Sequence, residues 1–131
     1  MLNLNKIILF ICLLWPLQSF PSDAACIAVT LTKEAATEGL LGKRAVLDVL
    51  QTRMKESGKT ACQVIKEPNQ FSWVDNSTKF VASKKELTTY KFVSKMKPVV
   101  EGAKYFHRKD IKPSWAKKMK PRLKIKQHIF Y

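Results

Sequence analysis

The opening stretch, MLNLNKIILFICLLWPLQSFPSDAAC, limits what can fold more than any other part of the chain. Lys6 precedes an apolar run from Ile7 to Trp15, and Pro16, Pro21 and small residues follow. That order is the grammar of a secretory signal. Ser22 and Ala24 satisfy the small-x-small rule and put cleavage after Ala24, or after Ala25. The run falls short of the roughly 20 residues of a membrane-spanning helix, so a retained signal anchor is the alternative. Asp23 stands where a lipoprotein site ahead of Cys26 would carry an aliphatic residue. The chain is read as exported, with residues 1–24 as signal or anchor. About 107 residues remain, the size of one domain, with one core and little margin.

Export decides how the cysteines are read. Cys12 lies in the leader, and Cys26 and Cys62 remain as an even pair, the pattern of a disulfide. Neither has a CxxC partner, so a zinc site has little support, and no metal or cofactor is expected. The leader holds one Lys and one Asp, so the net charge of +14 stays with the folded part. Such a charge calls for an anionic partner: nucleic acid, an anionic membrane or a cell-wall polymer. Export argues against nucleic acid. Membrane contact would be transient and through the leader, and a monomer is expected.

Cys26 to Glu38 lacks Gly and Pro, and Ile27, Leu31 and Ala35 recur at helical spacing. This predicts a first helix ended by Gly39, with Glu34 in its last turn. A second helix is expected over about Gly42–Glu56, with Val46, Val49, Leu50 and Met54 inward and Lys43, Arg44 and Lys55 outside. Thr60 reads as the N-cap of a short helix, Ala61 to Lys66. After the loop EPNQFSWVDNS, a third long helix is expected over Ser77–Met96, with Leu87, Tyr90 and Phe92 toward the core and Pro98 beyond its end. KYFHR and RLKIKQHIFY have strand composition, and KPSWAKKMKP between them reads as a turn with one helical turn. The fold class is α+β: a helical body with a short antiparallel β addition near the C-terminus.

Three blocks in this order, KEAATEGLLGKRAV, QFSW and KYFHRKDIKPSWA, resemble the catalytic domain of the SleB-type cell-wall hydrolases, the spore-cortex-lytic enzyme family. The resemblance covers Cys26 to Tyr131, so residues 26–131 are expected to form the catalytic domain. It implies a lysozyme-like fold, peptidoglycan as substrate, and cleavage of the β-1,4 bond between N-acetylmuramic acid and N-acetylglucosamine. The family's catalytic glutamate falls on Glu34 and the second glutamate of its motif on Glu38. Tyr105, Phe106 and His107 match a strand near the cleft; Gln70, Phe71, Ser72 and Trp73 match the loop that faces it. Ala36-Thr37 stand where the family usually has Arg-Gly, and Ile125-Lys126 where it has Ile-Gly. Thr does not readily take a positive φ, so the backbone after Glu34 is expected to differ.

On one helix Glu34 and Glu38 would share a face and repel by a few tenths of a kcal/mol. That placement suits an acid. An ordinary Glu, with a pKa near 4.3, is ionised at neutral pH; burial and a neighbouring carboxylate raise the value. Two-carboxylate glycosidases place their groups on opposite faces of the sugar, whereas these two would approach from one side. The expectation is therefore a single acid/base, Glu34, in a lytic transglycosylase, with Glu38 supporting it. Trp73 and Trp115 are read either as sugar-stacking platforms or as core. Tyr105 is read as orienting the substrate or assisting Glu34, or as half-buried. His107 and His128 could titrate near neutral pH but lack a third partner for zinc, and His107 is expected to bind substrate. Gln70 and Ser72 are read as binding an acetamido group or satisfying the loop. The alternative function is an exported cationic wall-binding protein in which Glu34 is structural.

Overall fold

The structure, a computed structural model, describes residues 22–131. Most of the expected signal lies outside the described residues, and Ser22 to Ala24 open the first helix. Helix α1 (Asp23–Ala35) starts where Ser22 Oγ accepts the Ala25 N–H at 3.2 Å. It stops before Glu38, the expected end. Residues 36–38 turn, and Gly39 follows with φ +70°, a conformation open to glycine.

Helix α2 (Gly39–Ser57) starts three residues ahead of the expected Gly42. Its run Arg44–Leu50 is buried without a break, as befits a helix covered on all sides. α1, α3 (Ala61–Ile65) and α4 (Lys84–Ser94) pack around it. Arg44, expected outside, is only 3% exposed. Its burial is compensated: Nη2 pairs with Asp48 at 2.8 Å, and Nη1 donates to the Val93 carbonyl at 3.3 Å. Asp48 Oδ2 in turn accepts the N–H groups of Val99 and Val100, both at 2.8 Å. One buried ion pair thus ties α2 to the end of α4 and to the segment beyond it.

Thr60 caps α3 as expected, in a capping box with Gln63. Cys26 of α1 and Cys62 of α3 form the expected disulfide, with Cα atoms 5.4 Å apart and 36 residues of separation. Closing a loop of that length contributes about 3–4 kcal/mol. Cys62→Ser is expected to lower the unfolding free energy by about 2–4 kcal/mol, read from urea denaturation; an unchanged midpoint would contradict this.

α4 starts at Lys84 instead of Ser77. Asp75 Oδ1 accepts both the N–H and the hydroxyl of Ser77, at 2.8 and 2.6 Å, so the segment forms a side-chain-stabilised turn. Phe80 then enters the core from a stretch without helix or strand, and a Ser83–Glu86 capping box begins the helix. The expected core face is also displaced. Val93 is buried, Tyr90 packs at the core's edge, and Leu87 and Phe92 are exposed, Phe92 by 59%.

Three short strands, β1 (Phe106–Arg108), β2 (Leu123–Ile125) and β3 (His128–Phe130), form an antiparallel sheet in the order β1-β3-β2. A 3-10 turn, Ser114–Lys118, lies between β1 and β2. Phe106 pairs with Phe130, and Leu123 with the same Phe130. These apolar side chains pack on the helical core, as strand alternation requires of one face. The fold is α+β, with four α-helices and a C-terminal sheet among the described residues.

Candidate active site

Glu34 is half-buried in the last turn of α1. Trp73, from the loop between α3 and α4, donates its indole N–H to Glu34 Oε1 at 2.7 Å. Trp73 is held between Phe71, 6.2 Å between ring centroids, and Phe80, edge-on at 5.8 Å. Phe71 rests against Phe106 of β1 at 6.4 Å. Asn69, at φ 60°, supplies the left-handed turn that starts this loop, a conformation Asn tolerates. The helix end, this loop and the sheet thus enclose a cleft of about 820 Å³.

Of the residues singled out in the sequence, Glu34, Glu38, Gln70 to Trp73, Phe106 and His107 line this cleft. Phe71 is its buried floor, and Gln70 and Ser72 are exposed in it. Tyr105 lies in a smaller adjoining pocket, shared with Gln70. Trp115 lines neither; it packs among Tyr105, His107 and Tyr131 at 5.3–5.7 Å. His107 is held by the same cluster. Its Nδ1–H donates to the Arg108 carbonyl at 2.6 Å, since a carbonyl can only accept, and Nε2 is hydrogen-bonded to the Tyr131 hydroxyl at 3.0 Å. With both nitrogens engaged inside the protein, His107 offers the cleft a wall, with no free hydrogen-bonding group.

The two glutamates do not sit on one helix face. Glu38 follows the turn at the start of α2, is 4% exposed, and accepts the Gln127 N–H at 3.0 Å. Gly42 makes this placement possible: a Cβ there would stand 2.2 Å from Glu38 Cβ. Burial raises the pKa of Glu34, against the opposing Trp73 hydrogen bond and the charge of Arg53. The like charge expected from Glu38 is not among the causes. A carboxyl in this setting can hold a proton nearer neutral pH than an ordinary glutamate.

Thr37 needs no positive φ; among the described residues other than glycine, Asn69 and Lys126 have one. Lys126 takes φ 45° in the turn between β2 and β3, at a cost of about 1–2 kcal/mol. Its Nζ donates to the Thr37 carbonyl at 3.4 Å. The two places where the sequence departs from the family pattern therefore touch each other.

The sequence reading left out Arg53. Its Nε donates to the Lys104 carbonyl at 2.7 Å, and its guanidinium lies 6.0 Å from the Phe71 ring and 5.6 Å from that of Tyr105. It lines both the cleft and the adjoining pocket. Its only signal was a cation one turn beyond the apolar run of α2. His128 also lines the cleft, and burial lowers its pKa, which keeps the ring neutral at pH 7.

The model of the Cell Wall Hydrolase family matches residues 37–131. The chain belongs to that family. The matched stretch contains Glu38, the aromatic loop and the sheet, and starts three residues after Glu34. The case for Glu34 therefore stands on its geometry. Among solved structures, this cell wall hydrolase is similar to the catalytic domain of the germination-specific lytic transglycosylase SleB from Bacillus anthracis. The TM-score is 0.71 at 23% identity, covering 88% of this chain and 98% of that one. At that identity the likeness speaks for the fold. No curated protein matches the chain. Among the described residues, no helix is long and apolar enough to cross a membrane.

Proposed function

We propose that this cell wall hydrolase is an exported lytic transglycosylase that cleaves the β-1,4 bond between N-acetylmuramic acid and N-acetylglucosamine, with Glu34 as its acid and base. The observation that carries the reading is a half-buried carboxyl, oriented by an indole N–H in a cleft large enough for sugars. Protonated Glu34 gives its proton to the glycosidic oxygen as the bond to C1 breaks. The resulting carboxylate takes the proton of the muramic C6 hydroxyl, whose oxygen closes onto C1. No water is consumed, and the product ends in a 1,6-anhydro ring. Glu38 is buried and bonded to the Gln127 N–H, so it is poorly placed to activate a water and serves instead to anchor the sheet to the helix corner. The transglycosylase named in the structural comparison supports this choice.

The test is to incubate the disulfide-bonded protein with purified peptidoglycan and sediment the wall. Soluble sugar fragments are expected in the supernatant. Protein that sediments with the wall and releases none would establish the cationic binding protein instead.

The Trp73 hydrogen bond favours ionised Glu34. The acid is active while protonated, so activity falls as pH rises through its pKa. Trp73→Phe removes a donor to the anion and is expected to move that falling limb to higher pH, with kcat down about tenfold from lost orientation. A limb that stays put or moves to lower pH would show that another group controls the profile.

A further inference from the structure

The positive charge is concentrated at one end of the chain. Residues 111–131 hold seven Lys and Arg and no Asp or Glu, half of the formal net charge of +14. The fold gathers part of this charge around a concavity of about 620 Å³, lined by Lys104, Lys118, Lys120 and Arg122 with Gly102, Met119, Pro121 and Tyr131. None of these residues lines the Glu34 cleft, and no Asp or Glu lines the concavity.

We propose that this concavity is a second binding site, which holds a phosphodiester-bearing anionic polymer of the cell envelope while the Glu34 cleft works on the glycan. The proposal rests on the function given above for its setting, since such a polymer would lie beside the substrate. The concavity has a fixed cation and free ones. Arg122 Nη1 donates to the Glu101 carbonyl at 3.0 Å, and Gly102, at φ +84°, leaves the room this requires: a Cβ there would stand 3.0 Å from Nη1. The Arg122 fork is thereby oriented, which reduces the entropy lost when it meets a phosphate. Lys118 and Lys120 are exposed beside it. Lys104 is shared, being paired with Glu56 at 3.0 Å.

The size and the composition of the site choose among polyanions. The volume admits a phosphate together with its linking polyol. Single-stranded nucleic acid is held by aromatic faces on which bases stack. Here Tyr131 is buried, with its ring against His107 and Trp115, so no free ring is offered. A site for regularly spaced phosphates needs only the cations.

The test measures binding of the full chain to fluorescent poly(glycerol phosphate), with single-stranded DNA of equal charge as a second arm. Cleavage is followed in parallel on peptidoglycan stripped of phosphate polymers. The wild type should bind poly(glycerol phosphate) more tightly than DNA, with affinity falling steeply as salt rises. Lys118→Gln/Lys120→Gln should weaken that binding about tenfold and leave cleavage of stripped wall unchanged. Unaltered polymer binding in the double variant, or tighter binding to DNA, would overturn the proposal. Failure to cleave stripped wall would count against the enzymatic reading and leave the binding result to decide this site.

Discussion

Glu34→Gln is expected to lower the release of soluble fragments from peptidoglycan by about 10³-fold, the range of a lost general acid. That is about 4 kcal/mol of transition-state stabilisation. The substitution is close to isosteric, and its amide oxygen can still accept the Trp73 indole N–H, which Glu34 now accepts at 2.7 Å. The unfolding midpoint should therefore stay within error of the wild type or rise slightly, because the amide escapes the desolvation that opposes ionised Glu34. The sign follows from linkage. Glu34 binds its proton more tightly folded than unfolded, so the stability it contributes is full below the ordinary carboxylate range. That contribution is lost as pH rises through the folded pKa. Retention of a tenth or more of the activity by Glu34→Gln would remove Glu34 from the chemistry. Glu38→Gln should do less to catalysis, since its carboxylate supports the Gln127 backbone.

The largest effect on stability is expected far from the cleft, at Asp48→Ala. It strips the partner from Arg44, which is 3% exposed, and leaves the Val99 and Val100 N–H groups without their acceptor. Breaking a buried pair from one side costs about 3–5 kcal/mol, a large part of the ~5–15 kcal/mol by which a domain is stable. Arg44→Met should cost less, because Asp48 keeps both backbone donors. Urea denaturation of the two variants gives the order; equal midpoints would mean the backbone bonds to Asp48 contribute little.

The elements that could be read from sequence were those with local signals. The Thr60 cap, the Ala61 helix and the strand character of KYFHR and RLKIKQHIFY follow from capping and alternation, and the Cys26–Cys62 bridge from the count of cysteines; the turn that splits the last segment into β2 and β3 was not read. The misplacements arose where tertiary contacts overrode local pattern. The Asp75–Ser77 turn and burial of Phe80 delayed α4. The Arg44–Asp48 pair looked like surface charge because an i,i+4 pair reads the same whether exposed or buried; the signal available was Asp48 lying between Leu47 and Val49 in an apolar run.

The site followed the same division. Glu34 at a helix end and the QFSW loop could be recognised from the sequence, and they meet through one hydrogen bond. The relation of Glu38 to Glu34 could not, because it depends on a turn at residues 36–38 that periodicity alone reads as continued helix. Trp115 and Tyr105 were drawn toward the cleft by their chemistry, yet the fold uses them to fix His107 and Arg53. Arg53 became visible only once α2 was set against the aromatic loop.

The measurement that bears most directly on the whole account is the mass of the soluble fragments released from purified peptidoglycan. Muramic ends about 18 Da lighter than those of hydrolytic fragments are expected, as closure of C6 oxygen onto C1 without water requires, and these ends should disappear with Glu34→Gln. Fragments of hydrolytic mass would contradict this, since they demand an activated water and a base that the buried, hydrogen-bonded Glu38 does not supply.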